Sequence, residues 1–108
     1  STATVKIFAS PTTLDHTNGA VTGPAFARVD NLAKDHNGNI YIIEDNEPSD
    51  IWVARDADKN GIAESVGRIL SLSTPGAEAT GFTATKDPNV FMVCIQQFGK
   101  LQQVLQLL

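Results

Sequence analysis

Residues 26–45 read FARVDNLAKDHNGNIYIIED, and the fold follows from how that stretch divides. It opens on the polar pair Asp30-Asn31 and crosses a short apolar step. It then turns at Asn37-Gly38-Asn39 and climbs through Ile40, Tyr41, Ile42 and Ile43 into Glu44-Asp45-Asn46. β-Branched and aromatic side chains suit a pleated surface, and Asn-Gly supplies the positive φ that a tight hairpin turn demands. The stretch therefore predicts a strand, a turn and a second strand, with carboxylates at both outer ends. Side chains alternate along a strand, so Ile40, Ile42 and Glu44 share one face and Tyr41, Ile43 and Asp45 the other. Both faces are apolar until the end, which predicts a strand covered on both sides.

The same design returns further along. Thr80-Gly81-Phe82-Thr83-Ala84-Thr85 rises to a turn at Lys86-Asp87-Pro88-Asn89, and Val90-Phe91-Met92-Val93-Cys94-Ile95 forms the climbing strand. Asn39-Ile40-Tyr41 aligns with Asn89-Val90-Phe91. Between the copies, Glu47-Pro48-Ser49-Asp50 reads as a turn and Ile51-Trp52-Val53-Ala54 as a third strand. A turn over Asp56–Gly61 and a fourth strand over Arg68–Ser73 follow. Short strands recurring every ~40–50 residues are what β-propeller blades show. The expected fold is all-β: a fragment of a β-propeller, about two blades of antiparallel strands, one over 30–73 and a second beginning about residue 78.

The flanks are less regular. Residues 2–9 alternate, with Val5, Ile7 and Ala9 opposing Thr4, Lys6 and Phe8, and predict a strand. Ser10–Pro24 is turn-rich and reads as a long loop, either functional or a place where the chain was cut from something larger. In the tail, Leu101, Val104, Leu105 and Leu108 fall at helical spacing.

At 108 residues and 42% hydrophobic, the chain makes one domain. Twelve acidic against eight basic residues give a net charge of −4, with no Lys/Arg cluster in sequence, which argues against a nucleic-acid surface and suits divalent cations. One cysteine, Cys94, excludes an internal disulfide and a thiolate metal cage, and reads as a small buried hydrophobe. His16, beside Asp15, reads as a solvated loop histidine. No apolar run approaches the ~20 residues of a membrane span, and Ser1 opens no basic-then-apolar leader. No nucleophile elbow, P-loop or H-E-x-x-H motif is present.

Two groups of residues offer metal chemistry. Asp56-x-Asp58-x-Asn60-Gly61-Ile62-x-Glu64 follows the first half of a calcium loop, with the Ile62 carbonyl at the seventh position. The twelfth position is Gly67, so the bidentate glutamate is missing, and the flanks read as strands; a plain hairpin turn with solvated acids is the competing reading. The second group is dispersed: Asp30, Asn31, Glu44, Asp45 and Glu78 begin or end strands, and in a propeller would converge on the central channel. Against this, acids also terminate strands simply because they suit turns.

FARVDNLAKDHNGNIYIIED resembles the F-x-x-P-D-N-L-x-F-D-x-x-G-N-L-W-V-x-x-D stretch of the PhoX-type alkaline phosphatases. PGAEATGFTATKDPNVFMVCIQQFG is similar to their later G-A-E-x-T-G-x-x-F-T-x-D-x-x-x-L-F-V-x-x-Q-H-P-G stretch. The resemblance covers roughly residues 22–99. It implies part of a large, periplasmic or extracellular β-propeller phosphomonoesterase that depends on calcium and, in characterised members, iron, with its metals held mainly by carboxylates. Glu78 and Asp30-Asn31 match best. Val29 stands where the family has proline and Gln97-Phe98 where it has His-Pro, and Cys94 does not correspond to the family's iron-ligating cysteine. Two rival functions stay open: a non-catalytic calcium-binding or assembly module, and a calcium-dependent lactonase-type propeller hydrolase. A partial propeller leaves strand edges open, so residues Val5–Ala9 and the leucine-rich tail are expected to pair with a second copy, giving a homo-oligomer.

Overall fold

The computed structural model describes residues 2–46, 48–97 and 103–107. The chain runs through β1 (Leu14–Asp15), a short 3-10 turn (Gly23–Ala25), β2 (Val29–Lys34), β3 (Ile40–Glu44) and β4 (Asp50–Arg55). β5 (Ser65–Ser71), β6 (Ala77–Ala84), β7 (Phe91–Gln97) and β8 (Gln103–Leu107) follow. Two sheets form, in the orders β1-β5-β4-β3-β2 and β6-β7-β8. Within them β2 to β5 and β6 to β8 are antiparallel meanders, and only the two-residue β1 runs parallel to its neighbour. The fold is all-β, as expected, and neither sheet closes.

β3 is covered on both sides. Its Tyr41 and Ile43 join Ile51 against Ala77, Ala79, Phe82, Val93 and Ile95 of the second sheet. Its Ile42 packs on the opposite side with Trp52, Ala54 and Val66, capped by Phe26 and Ala63. Ile43, Ile51, Trp52 and Val66 are wholly buried, each contributing roughly 1.5–3 kcal/mol relative to exposure. Phe26 meets Trp52 edge-on at 5.4 Å. β3 and β7, the two climbing strands, occupy the second position of their respective meanders. The turns before them lie side by side, His36 Nε2 lying 2.7 Å from the Thr85 carbonyl.

Asp35 organises the β2–β3 turn. Its carboxylate accepts from the backbone N–H of Asn37 and Asn39, from Asn39 Nδ2 and from the Tyr41 hydroxyl, at 2.8–2.9 Å, while Gly38 takes φ +84°. Desolvation pushes the carboxyl up, but these hydrogen bonds together outweigh it and hold Asp35 below its usual range. The Tyr41 hydroxyl, desolvated and facing Asp35, is pushed up to about 12. A depressed carboxylate stabilises the fold above its unfolded pKa of ~3.9 and loses that contribution as pH falls through the lower folded value. The raised phenol contributes below its unfolded value of ~10 and loses that contribution as pH rises towards its folded value. Asp35→Ala is expected to cost about 1–2 kcal/mol at neutral pH. It should also flatten the acid limb of a stability–pH curve followed by urea denaturation; an unchanged acid limb counts against this role.

Four sequence expectations are corrected. Residues 2–9 form no strand: Val5 and Ile7, expected to share a strand face with Ala9, are 92% and 76% exposed, while Ala9 packs on the Trp52 cluster together with Phe8. That segment is pinned by Ala63 N–H to the Phe8 carbonyl and by Lys6 Nζ to the Asn60 carbonyl. The Ser10–Pro24 loop contains β1 and the start of the 3-10 turn. The fourth strand begins at Ser65 and ends at Ser71, rather than spanning Arg68–Ser73. Gln103–Leu107 is strand, paired antiparallel with β7 in the register Cys94↔Val104, where helical spacing was read. Leu101 and Leu108 of that stripe, and Glu47 of the predicted turn, lie outside the described residues.

Candidate metal centre

Asp30, Asp45 and Glu78 come together. Each offers a carboxylate oxygen, and the three oxygens lie within 4.8 Å of one another. The backbone explains the convergence. β2 pairs with β3 through Val29↔Glu44 and Asn31↔Ile43, so Asp30 is an extra residue in a β-bulge, a device that re-aims a side chain at the end of a ladder. Asp45 follows β3 directly, its N–H bonding the Arg28 carbonyl at 2.7 Å. Glu78 enters from β6, the first strand of the other sheet, which lies against β2.

Asp30 and Asp45 are exposed and Glu78 is half-buried. Asn31 Nδ2 donates to Asp30 Oδ2 at 3.0 Å, and the Arg28 guanidinium stands 4.0 Å from Asp45 Oδ2. Arg28 has a φ of +52°, uncommon for a residue with a β-carbon. Three carboxylates this close repel one another unless a cation sits among them. Oxygens bound to one calcium at about 2.4 Å can be at most about 4.8 Å apart, so the spacing fits such an ion. Beside the cluster, Arg28, Glu44, Asp45, Asn46 and Asp50 line an open cavity of about 590 Å³.

Glu44 takes a different role from its neighbour. It is 2% exposed, and its carboxylate accepts from Trp52 Nε1 (2.9 Å), Ala27 N–H (3.2 Å) and Asn46 Nδ2 (3.1 Å). Its backbone carbonyl accepts from Ser49 Oγ. Glu44 therefore ties the segment before β2 to the end of β3, and Asp45, on the other face, joins the acid cluster. Strand alternation already placed the two on opposite faces. Nothing in the sequence marked the bulge at Asp30 or the placing of Arg28.

The second sequence group also gathers: Asp56, Asp58 and Glu64 offer oxygens within 4.8 Å of one another. Much of the loop's oxygen capacity serves the loop itself. Asp56 Oδ1 and Oδ2 accept from Asn60 and Gly61 N–H, Asn60 Oδ1 from Ile62 N–H, and Glu64 Oε1 from Ala57 N–H. Desolvation raises the Asp56 carboxyl, but the Gly61 N–H leads the hydrogen bonds that hold it below its usual range. His16 and Asp15 stay apart from both clusters: His16 Nδ1 lies 3.4 Å from Ser65 Oγ, and Asp15 Oδ1 accepts from Thr17 N–H. Cys94 is a free, half-buried thiol packed near Gly81.

Comparison of the chain with protein-family models, curated proteins and solved structures finds no match. No described helix is long and apolar enough to cross a membrane.

Proposed function

We propose that these residues form two blades of a PhoX-like β-propeller and carry part of the metal centre of a calcium-dependent phosphomonoesterase. One observation carries the reading. Asp30 and Glu78 belong to the two separate stretches on which the family resemblance rests, and their carboxylates meet with Asp45 within 4.8 Å. The contact of β2 with β6, the first strands of the two meanders, suits inner strands of successive blades lining a shared channel. Asp30, Asp45 and Glu78 would hold the metal, and a divalent ion bound there would supply a Lewis acid for a phosphoryl oxygen. Arg28, its side chain 70% exposed beside Asp45, presents a second positive charge to a phosphate ester approaching the same rim. Asn31 holds the Asp30 carboxylate in place. The iron of the family finds no thiolate among these ligands.

The Asp56–Asp58–Glu64 cluster favours a second reading, a non-catalytic calcium-binding loop. Thermal unfolding with and without Ca²⁺ separates the two. A ligand bound only by the folded state stabilises it by about 2.7 kcal/mol at a hundredfold excess over Kd, so Ca²⁺ is expected to raise Tm by several degrees. Glu78→Gln removes that shift if the centre lies between the sheets, and Asp58→Asn removes it if the loop is the site. Absence of any Ca²⁺ response in the unaltered chain defeats both readings.

A further inference from the structure

We propose that the groove between the β2–β3 turn and the start of the β4–β5 loop binds an organic anion, a carboxylate or phosphonate-like phosphate carried on an apolar body. The inference is independent of the Asp30–Asp45–Glu78 centre, which lies at the other end of β2 and β3; of the second acid cluster, Asp56 alone lines the groove. The groove encloses about 550 Å³, within the ~300–1,000 Å³ typical of small-molecule sites. Its apolar wall is built by register. Ile40 pairs with Ala54 across β3 and β4, and Phe8 packs on the same cluster from the N-terminal segment. Lys34, the partner of Ile40 across β2 and β3, continues that row to the groove's edge.

Charge gives the ligand its sign. Lys34, Arg55 and Lys59 all line the groove, three of the eight basic residues in a chain of net charge −4. The ion pairs among the described residues engage Arg28 and Arg68, and none engages these three. The one acid on the lining, Asp56, keeps its charge while its oxygens accept from the Asn60 and Gly61 N–H groups of its own loop, so the lining sets three positive charges against one negative. Cations with no ion-pair partner among the described residues, set around an apolar wall, match a ligand with one anionic end and one flat apolar end. The ring lies against Phe8 and Ile40 while the anion meets the lysines. A bare inorganic anion leaves the apolar wall unused, and a neutral ring leaves the charges unanswered.

The test is an amide NMR titration of the whole chain at low salt with naphthoate, with naphthylphosphonate (which a phosphatase cannot cleave), with naphthol and with inorganic phosphate. Saturable shifts confined to Phe8 and to residues 34–40 and 54–59 are expected with either organic anion, and the relative strength of the two arms tells carboxylate from phosphate preference. Naphthol and inorganic phosphate are expected to bind at least several-fold more weakly. Lys34→Gln with Lys59→Gly should weaken the preferred anion about tenfold, the sum of two exposed ion pairs. Glycine suits position 59 because Lys59 already takes φ +55°, so the variant should keep the parent Tm. Glu78→Gln should leave this binding unchanged whatever it does to calcium. The proposal is overturned if neither organic anion shifts these amides at millimolar concentration, if naphthol binds as well as naphthoate, or if the double variant binds as the parent does.

Discussion

Glu44→Ala is expected to destabilise the chain by about 3 kcal/mol or more, beyond the effect of most single substitutions. Truncation strands Trp52 Nε1, on a residue with no solvent exposure, together with the Ala27 N–H. A buried donor left without a partner costs roughly 1–3 kcal/mol, and the half-buried Ala27 N–H adds a smaller loss. It also frees the Ala27 segment from the end of β3, which Asn46 Nδ2 reinforces through the Ala27 carbonyl at 3.3 Å. Glu44→Gln should cost less, because its amide oxygen still accepts from Trp52 and Ala27. Trp52→Phe keeps most of the ring's packing against Phe26 but deletes the donor. The double variant Glu44→Gln, Trp52→Phe should therefore lose less than the two single changes added together. Urea denaturation of the four proteins reads this coupling. Strict additivity, or a Glu44→Ala cost below about 0.5 kcal/mol, would mean that the carboxylate is satisfied by solvent.

The part of the fold legible in the sequence is the part governed by local periodicity. Ile40–Glu44 alternates between two apolar faces and is buried on both; Asn37-Gly38 marks its turn; Glu44 follows Ile42 inward while Asp45 follows Ile43. What alternation cannot state is whether a ladder partner exists. Residues 2–9 alternate as well as any strand in the chain. However, the free edge of β5 is taken by β1, through Leu14↔Ser65 and a His16 N–H bond to the Val66 carbonyl at 2.7 Å. The tail shows the reverse case. A helix of two turns is marginal alone, well below the ~12–15 residues that isolated helices need, and the edge of β7 offers a ready row of unpaired N–H and C=O groups, which Gln103–Leu107 satisfies. The metal cluster was half legible. Asp30, Asp45 and Glu78 were all named from their places at strand ends, but a bulge leaves no mark in composition, so the sequence could not say which acids of the set would meet.

The bulge between β6 and β7 sets the largest lever on the contact between the sheets. Ala77 and Ala79 of β6 face the first sheet, and strict alternation would turn Phe82 to the opposite side, with Glu78 and Thr80. The register shift between Thr80 and Thr83 returns Phe82 inward. There it lies 5.0 Å from the Tyr41 ring and stacks on Phe91 at 5.2 Å. Gly81 makes this possible with a φ of +64°. A β-carbon there would meet only the Cys94 side chain at ordinary contact distance, so Gly81→Ala should cost backbone strain alone, about 1–2 kcal/mol. Phe82→Ala should cost about 3–5 kcal/mol, the usual loss for emptying a buried aromatic site, with the Tyr41 and Phe91 ring contacts included in that total. The loss falls on one cluster. Trp52 packs on the far side of the first sheet, among Phe26, Ile42 and Val66. Hydrogen exchange in Phe82→Ala should therefore speed first in Ala77–Ala84 and in Phe91–Ile95, while Trp52 fluorescence and the β3–β4 amides keep their native character. Loss of protection in both sheets at one rate would instead make them a single cooperative unit, because then the aromatic cluster would hold the first sheet together as firmly as it joins it to the second.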